Sequence, residues 1–266
     1  MKLRLVSYLA PNLFWFYETV GAYLGRILKV EIQVVQSPLD PLADPMLLRD
    51  QLDIAFICGL PFARYQQINA EQLQILVAPV MEATRYCNRP IYFSDVIVHA
   101  NCDLVTLEEL AGKTLCYNDS GSNSGYHLLR QRLMQAGFCN RFFSKVLPSG
   151  SHQRSIQWVT AGIADCAAID STVLEQELRD HPELVTKLRV IESIGPCPIP
   201  PVVAAQRLGL AMCDELQAAL LHPDLTLKAA MERARIQCYV AVKAEDYAPI
   251  AQTYDATLKQ GYGDCI

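Results

Sequence analysis

Two short turns hold most of the residues able to do chemistry. The first, Asn118-Asp119-Ser120-Gly121-Ser122-Asn123-Ser124-Gly125, lies between an apolar stretch that reads as a strand (114–118) and a helical stretch (126–136) closed by Gly137. Glycines let a backbone turn tightly and approach a ligand closely. The first N–H groups of a helix have no partners within it and sit at the positive end of its dipole. Such a turn cradles an anion, and its hydroxyls and amides suit a ligand with several equivalent oxygens. The same residue types also suit a plain N-cap at Ser122 followed by a polar surface loop. This segment alone does not separate the two.

The second turn, Pro148-Ser149-Gly150-Ser151-His152, also falls between a strand and a helix, so it opens on the same edge of the sheet as the first. An imidazole near the start of a helix can donate to an anion, and a bound negative charge favours its protonated form. The plainer alternative is a histidine that caps its own helix or is satisfied by a nearby carbonyl. A hydrolytic use, with Ser120 or Ser122, His152 and Asp165 as a triad, lacks the G-x-S-x-G elbow, and Asp165 reads as lying inside a strand.

The elements that must position these turns alternate between strand and helix almost throughout, the pattern of an α/β fold with largely parallel sheets. Strands are expected over 2–9, 30–37, 53–58, 73–81, 91–100, 114–118, 142–147, 163–170 and 188–192, with a further one over 238–242. Helices are expected over 14–28, 45–52, 106–112, 126–136, 152–161, 171–180, 211–221, 225–236 and 247–260. Thr106 and Glu109 have the spacing of a capping box. Gly59-Leu60-Pro61 reads as the stop of a strand. The run Gly195-Pro196-Cys197-Pro198-Ile199-Pro200-Pro201 carries four prolines in seven residues, so irregular structure and a crossover between lobes are expected there.

At 266 residues the chain can form one large domain or two intertwined lobes, and with 51% hydrophobic and 19% charged residues it is globular in composition. The formal charge of -5 comes without a basic run, which argues against nucleic acid as a partner. An anion bound to a net negative body must be held by local dipoles and a few placed donors. No apolar stretch reaches the roughly 18 residues of a membrane span, so no membrane insertion is expected. The ten cysteines are spread through apolar segments with no C-x-x-C pair, which fits small buried hydrophobes better than a metal site. No metal and no cofactor are expected. The start of the chain reads at once as a strand, so a cytoplasmic location is expected for the chain as given, or a periplasmic one if a signal was removed.

Five segments occur together in an order and spacing that resemble the phosphonate-binding component of ABC transporters. They are Tyr92-Phe93-Ser94-Asp95-Val96-Ile97-Val98, Leu107 to Lys113, Ser122-Asn123-Ser124-Gly125, Ser149-Gly150-Ser151-His152, and Val159-Thr160-Ala161-Gly162-Ile163-Ala164-Asp165. The resemblance runs from about residue 6 to residue 201. It implies a type II periplasmic-binding-protein fold, two α/β lobes joined by crossing segments near 94–100 and 195–201 and closing around a ligand. Lobe 1 would comprise 1–97 plus 197–266 and lobe 2 98–196, each a mostly parallel sheet flanked by helices, with the ligand cleft between them. In that family a Ser-Thr-Ser turn, a histidine and a tyrosine hold the phosphonate oxygens, which places these roles on Ser122-Asn123-Ser124, His152 and Tyr92. Asn123 departs from the pattern, since it is longer than threonine and has no hydroxyl. The family's acidic residue, which receives a ligand amine or an acidic ligand proton, falls on Asp170. Tyr8, after the first strand, is the candidate from the first lobe.

The function implied is that of a solute-binding protein for a small tetrahedral oxyanion (phosphonate, phosphate or phosphite), serving ABC-type uptake or sensing with a permease as partner. The competing reading is a cytoplasmic enzyme of the same fold acting on a small carboxylate, as in the menaquinone pathway. A carboxylate substrate would call for an arginine in the site, and neither Ser/Gly turn contains one.

Overall fold

The computed structural model of the chain describes residues 2–138 and 141–259. The described residues divide into two compact units, bounded by Met1–Ile91 with Pro198–Ala251 and by Tyr92–Cys197 with Gln252–Ile266.

In the first unit a six-stranded sheet has the order β11-β4-β10-β3-β1-β2, formed by β1 (Lys2–Ser7), β2 (Glu31–Gln36), β3 (Ile54–Phe56), β4 (Leu73–Met81), β10 (Val202–Ala205) and β11 (Ile236–Ala241). β1 lies parallel to β2 and β3, whereas β10 and β11 run antiparallel to their neighbours. The central strands are apolar on both faces, with Leu5, Val6, Ile54, Ala55, Val202 and Val203 all buried, as expected for strands covered on both sides. Helices α1 (Phe14–Leu28), α7 (Leu210–Leu221) and α8 (Leu225–Arg233) pack on this sheet. The Tyr23 hydroxyl ties α1 to α7 by donating to the Ala219 carbonyl at 2.8 Å.

The second unit is built on the order β7-β6-β8-β5-β9, from β5 (Ile91–His99), β6 (Thr114–Tyr117), β7 (Lys145–Pro148), β8 (Cys166–Asp170) and β9 (Leu188–Pro198). β6 is parallel to β7 and to β8, and β5 is antiparallel to β8. One face carries Val96, Val98, Leu115, Cys166 and Ala168 into a core completed by Leu129 and Leu133 of α4 (Leu128–Gln135) and by Phe142 and Phe143. α5 (His152–Thr160) and α6 (Ser171–Asp180) also belong to this unit. The architecture is thus α/β with two helix-flanked sheets, in each of which a parallel core of strands is joined by antiparallel neighbours.

Several elements differ from the sequence expectation, each for a physical reason. Gly59-Leu60-Pro61 opens helix α3 (Gly59–Ile68), because a proline in the first turn gives up no intrahelical hydrogen bond. The proline-rich run is strand through Pro198, as part of β9. β9 is an edge strand, where a missing N–H costs no ladder bond. The short strand β10 was not foreseen, and β8 begins at Cys166, so Asp165 precedes it and accepts from the Thr114 amide at 2.7 Å. Of the anticipated capping box, the Glu109 carboxylate reaches back to the amides of Val105 and Thr106, but the helical turn shrinks to Glu108–Leu110 with Leu107 at its N-cap.

The eight described cysteines are free thiols; Cys139 and Cys265 lie outside the described residues. Burial pushes the Cys116 thiol up to about 11 and raises that of Cys166 as well, so both are core hydrophobes rather than thiolates.

Candidate functional site

Because β6 lies between β7 and β8 and is parallel to both, the loops leaving these strands open on one edge of the second sheet. The register aligns Tyr117 with Pro148, and the Ser149 amide donates to the Tyr117 carbonyl at 2.7 Å. Each strand there hands over to a helical start whose N-cap is a small polar residue. Ser122 accepts from the Gly125 amide, Ser151 from the Arg154 amide, and Asp170 from the Thr172 amide. Three helical N-termini with their positive dipole ends therefore begin on the same edge. β5 runs the opposite way and so starts at this edge, which brings Tyr92 and Ser94 to it.

The first turn is wider than an α-helix. Asn123–His127 forms a single π turn ahead of α4, with the His127 amide donating to the Ser122 carbonyl at 3.1 Å. Such widened turns recur at functional sites. Gly125 is at an ordinary φ, so conformational freedom does not explain it. Space does: a Cβ there would fall 1.7 Å from Asn118 Oδ1 and 3.0 Å from His152 Cε1.

Residues from three segments meet at this turn: β5, the turn itself and the start of α5. Asn123 Nδ2 donates to the Tyr92 hydroxyl at 2.8 Å, the Ser94 hydroxyl donates to the Ser124 carbonyl at 2.6 Å, and Ser124 Oγ lies 3.3 Å from His152 Nε2. All are buried, Asn123 and Ser124 at 3% exposure and His152 at 7%. Among the described residues, His152 Nδ1 has no hydrogen-bond partner, and Asn118 Oδ1 is likewise buried without one. Desolvation pushes the His152 imidazole down to about 4, so it is neutral as it stands.

The second turn is braced by Ser149, whose Oγ contacts the Tyr117 and Ser151 carbonyls at 3.0 Å and the Ser155 hydroxyl at 2.6 Å. Gly150, at φ +88, makes the left-handed bend that presents His152. Asp170 is the cross-strand partner of Ser94, so the two side chains project from the same face of the sheet. Burial pushes its carboxyl up to about 6 against the lowering effect of the Thr172 hydroxyl and amide, and Asp95 adds to the rise.

Of the residues singled out in the sequence, Tyr92, Asn123, Ser124 and His152 are brought into mutual contact, Ser122 caps their turn, and Asp170 stands across from Ser94. Tyr8 belongs to the first unit. Its hydroxyl donates to the buried Asp44 at 2.9 Å, as does that of Ser37, and burial raises the Tyr8 hydroxyl pKa well above its ordinary value. Ser94 and Asn118 also lie at this turn, though sequence reasoning assigns neither an individual role: Asn118 enters only as the first residue of the turn and Ser94 only within a longer segment. Ser94 carried a legible signal, a hydroxyl on an otherwise apolar strand.

A family model described as ABC transporter, phosphonate, periplasmic substrate-binding protein matches residues 8–247. Comparison with curated proteins gives no significant match. Among solved structures, PhnD1 from Prochlorococcus marinus in complex with methylphosphonate superposes with a TM-score of 0.83 at 18% identity, covering 97% of this chain and 98% of that one. A binding protein component of an ABC phosphonate transporter from Pseudomonas aeruginosa gives the same TM-score and identity, covering 98% and 87%. The alkanesulfonate-binding protein SsuA from Xanthomonas axonopodis pv. citri, bound to MOPS, gives 0.66 at 18% identity, covering 100% and 95%. At these identities the structures speak for the fold, which is that of type II periplasmic binding proteins. The matching family consists of substrate-binding transport proteins rather than enzymes, so the carboxylate-enzyme alternative has no support. With the model spanning nearly the whole chain, the protein belongs to the phosphonate-binding family of ABC-transporter substrate-binding proteins.

Proposed function

We propose that the chain binds a small tetrahedral phosphorus oxyanion, a phosphonate, phosphate or phosphite, at the Ser122-Asn123-Ser124 turn of the second unit. The observation that carries this reading is the buried hydrogen-bonded chain Tyr92–Asn123 and Ser124–His152, set where three helical N-termini start. Neutral donors and oriented amides hold an anion without the cost of burying a compensating cation. Asp170 gives the site its choice among oxyanions. A buried carboxyl near an anion is tolerated when one of the two carries a proton, which a phosphonate monoanion can supply and a sulfonate cannot. Tyr8 is a further candidate contact, from the first unit. The ligand class fits ABC-type uptake with a permease as partner, or sensing.

The test is thermal denaturation and calorimetry with methylphosphonate, phosphate, phosphite and sulfate. A ligand at about 100 times its dissociation constant adds roughly 2.7 kcal/mol of stability. Stabilisation by a phosphorus oxyanion and none by sulfate is expected. Stabilisation by an aromatic carboxylate with no response to any phosphorus oxyanion overturns the reading.

A further inference from the structure

We infer that Tyr254 is a positioning residue for the anion turn: by packing on His127 it holds the π turn in the register that brings Asn123 and Ser124 to Tyr92 and Ser94. This rests on the reading of the Ser122–Ser124 turn as the anion site. Tyr254 lies in helix α9 (Ala248–Lys259), of which the residues from Gln252 on belong to the second unit. Its ring meets that of His127 with centroids 4.7 Å apart and planes at 83°, the edge-to-face geometry that aromatic rings prefer. His127 in turn stands edge-on to Tyr126 at 5.1 Å, and Tyr126 packs on Tyr117 at 5.1 Å. A row of four half-buried rings thus runs from α9 across the π turn to the end of β6.

His127 is the residue on which the register of the turn depends. Its amide donates to the Ser122 carbonyl at 3.1 Å, and the next amide, that of Leu128, donates to the Asn123 carbonyl, each one residue further back than in an α-helix. In the α register the His127 amide would reach the Asn123 carbonyl instead. The extra residue of the wide turn would be drawn in, and Asn123 and Ser124 would rotate away from their partners on β5. A π turn is uncommon in its own right, so tertiary packing must hold it. At its start the turn is held by the Ser122 cap and by the bonds from Asn123 to Tyr92 and from Ser94 to Ser124. At its end the His127 ring meets those of Tyr126 and Tyr254, so α9 supplies the support there.

Two measurements test the inference. Amide hydrogen exchange in the ligand-free protein reads the two wide-turn bonds directly, through the amides of His127 and Leu128. Tyr254→Ala is expected to speed exchange at these two about tenfold while the amides of β6 and β8 are unchanged. Tyr254→Phe, which keeps the ring, should stay within about twofold of the unaltered protein. Unchanged exchange at the turn, or one uniform acceleration across the second unit, overturns the proposal. The second measurement is calorimetry with methylphosphonate. Tyr254→Ala should weaken binding about threefold to tenfold, Tyr254→Phe by less than about twofold, and Tyr254→Ala should add less than about twofold once His127 is alanine. Full affinity in Tyr254→Ala, or an equal loss in the His127→Ala background, overturns the proposal, because the ring would then act by another route. If methylphosphonate fails to bind the unaltered protein, the ligand assignment falls while the exchange result still decides whether Tyr254 holds the turn.

Discussion

Gly125→Ala is the sharpest single perturbation of the site, because two general rules give it opposite signs. Glycine inside a helical segment is ordinarily worse than alanine by about 0.5–1 kcal/mol, and Gly125 is not at a positive φ, so propensity alone forecasts a more stable protein. The local packing forecasts the reverse. The new methyl would stand 1.7 Å from Asn118 Oδ1 and 2.8 Å from Asn118 Cγ, separations that no side chain accommodates in place. Asn118 is short, so its amide must swing out of the space beside the turn, and the imidazole of His152 must give way as well.

Overpacking of this kind costs about 1–3 kcal/mol, which outweighs the propensity gain. A net loss of about 1–2 kcal/mol corresponds to a fall in Tm of roughly 2–8 °C for a chain of this size. The assay is chemical and thermal denaturation of Gly125→Ala beside Asn118→Ala/Gly125→Ala. Removing the Asn118 amide relieves the clash, so the double variant should regain most of the lost stability, although the 3.0 Å approach to His152 Cε1 remains. Oxyanion affinity should stay impaired in both, since the turn and His152 are displaced. A Gly125→Ala protein with a raised Tm would refute the packing account and reduce the glycine to an accident of sequence.

The pH dependence of stability separates two buried groups of opposite sign. The Asp170 carboxyl is raised from 3.8 to about 6, so the folded state holds its proton longer than the unfolded one and stability falls as pH rises between about 4 and 6. The His152 ring is lowered from 6.5 to about 4, so the unfolded state takes up the proton first and stability rises with pH across much the same window. Asp170→Asn keeps an N-cap for α6 and removes only the first trend, so urea denaturation from pH 4.5 to 6.5 should show a steeper rise with pH than the unaltered protein; an unchanged profile counts against a buried, protonated Asp170. Asp170→Asn should also narrow the preference for phosphonate over sulfonate in competition calorimetry, and an unchanged ratio removes Asp170 from the selectivity. Asn123→Thr restores the hydroxyl of the family pattern but gives up the bond to Tyr92, and an affinity change of about tenfold in either direction is expected from one hydrogen bond of this kind, read by calorimetry. Tyr8→Phe removes the hydroxyl that donates to Asp44 and should lower stability by about 1 kcal/mol, measured by thermal denaturation, and an unchanged midpoint would count against that bond.

What the sequence made legible was whatever local chemistry dictates. Helices 14–28 and 171–180 and strand 73–81 fall where patterning and capping place them, and the two Ser/Gly turns are N-capped as their composition requires. What it hid depends on neighbours distant in the chain. A proline-rich run is strand only because β9 is an edge, which is a property of the sheet rather than of the segment. Antiparallel β10 sits between β3 and β4, so the sheet mixes directions that alternation of elements cannot reveal. Asn118 reads as one more polar loop residue until its proximity to Gly125 and His152 is seen.

The same distinction explains why the ligand class is easier to reach than the ligand. Helical N-termini, glycine turns and hydroxyl donors specify charge and shape, and they recur wherever an anion is held. Discrimination within the class must come from groups whose protonation or donor direction is fixed by burial. In the proposed site those would be Asp170, Asn123 with Tyr92, and Ser124 with His152. Each is a pairwise arrangement made across strands or between helical starts. Exchanging Asn123 for threonine therefore changes more than one donor, since it also releases Tyr92, and its effect on which oxyanion binds best should exceed its effect on stability.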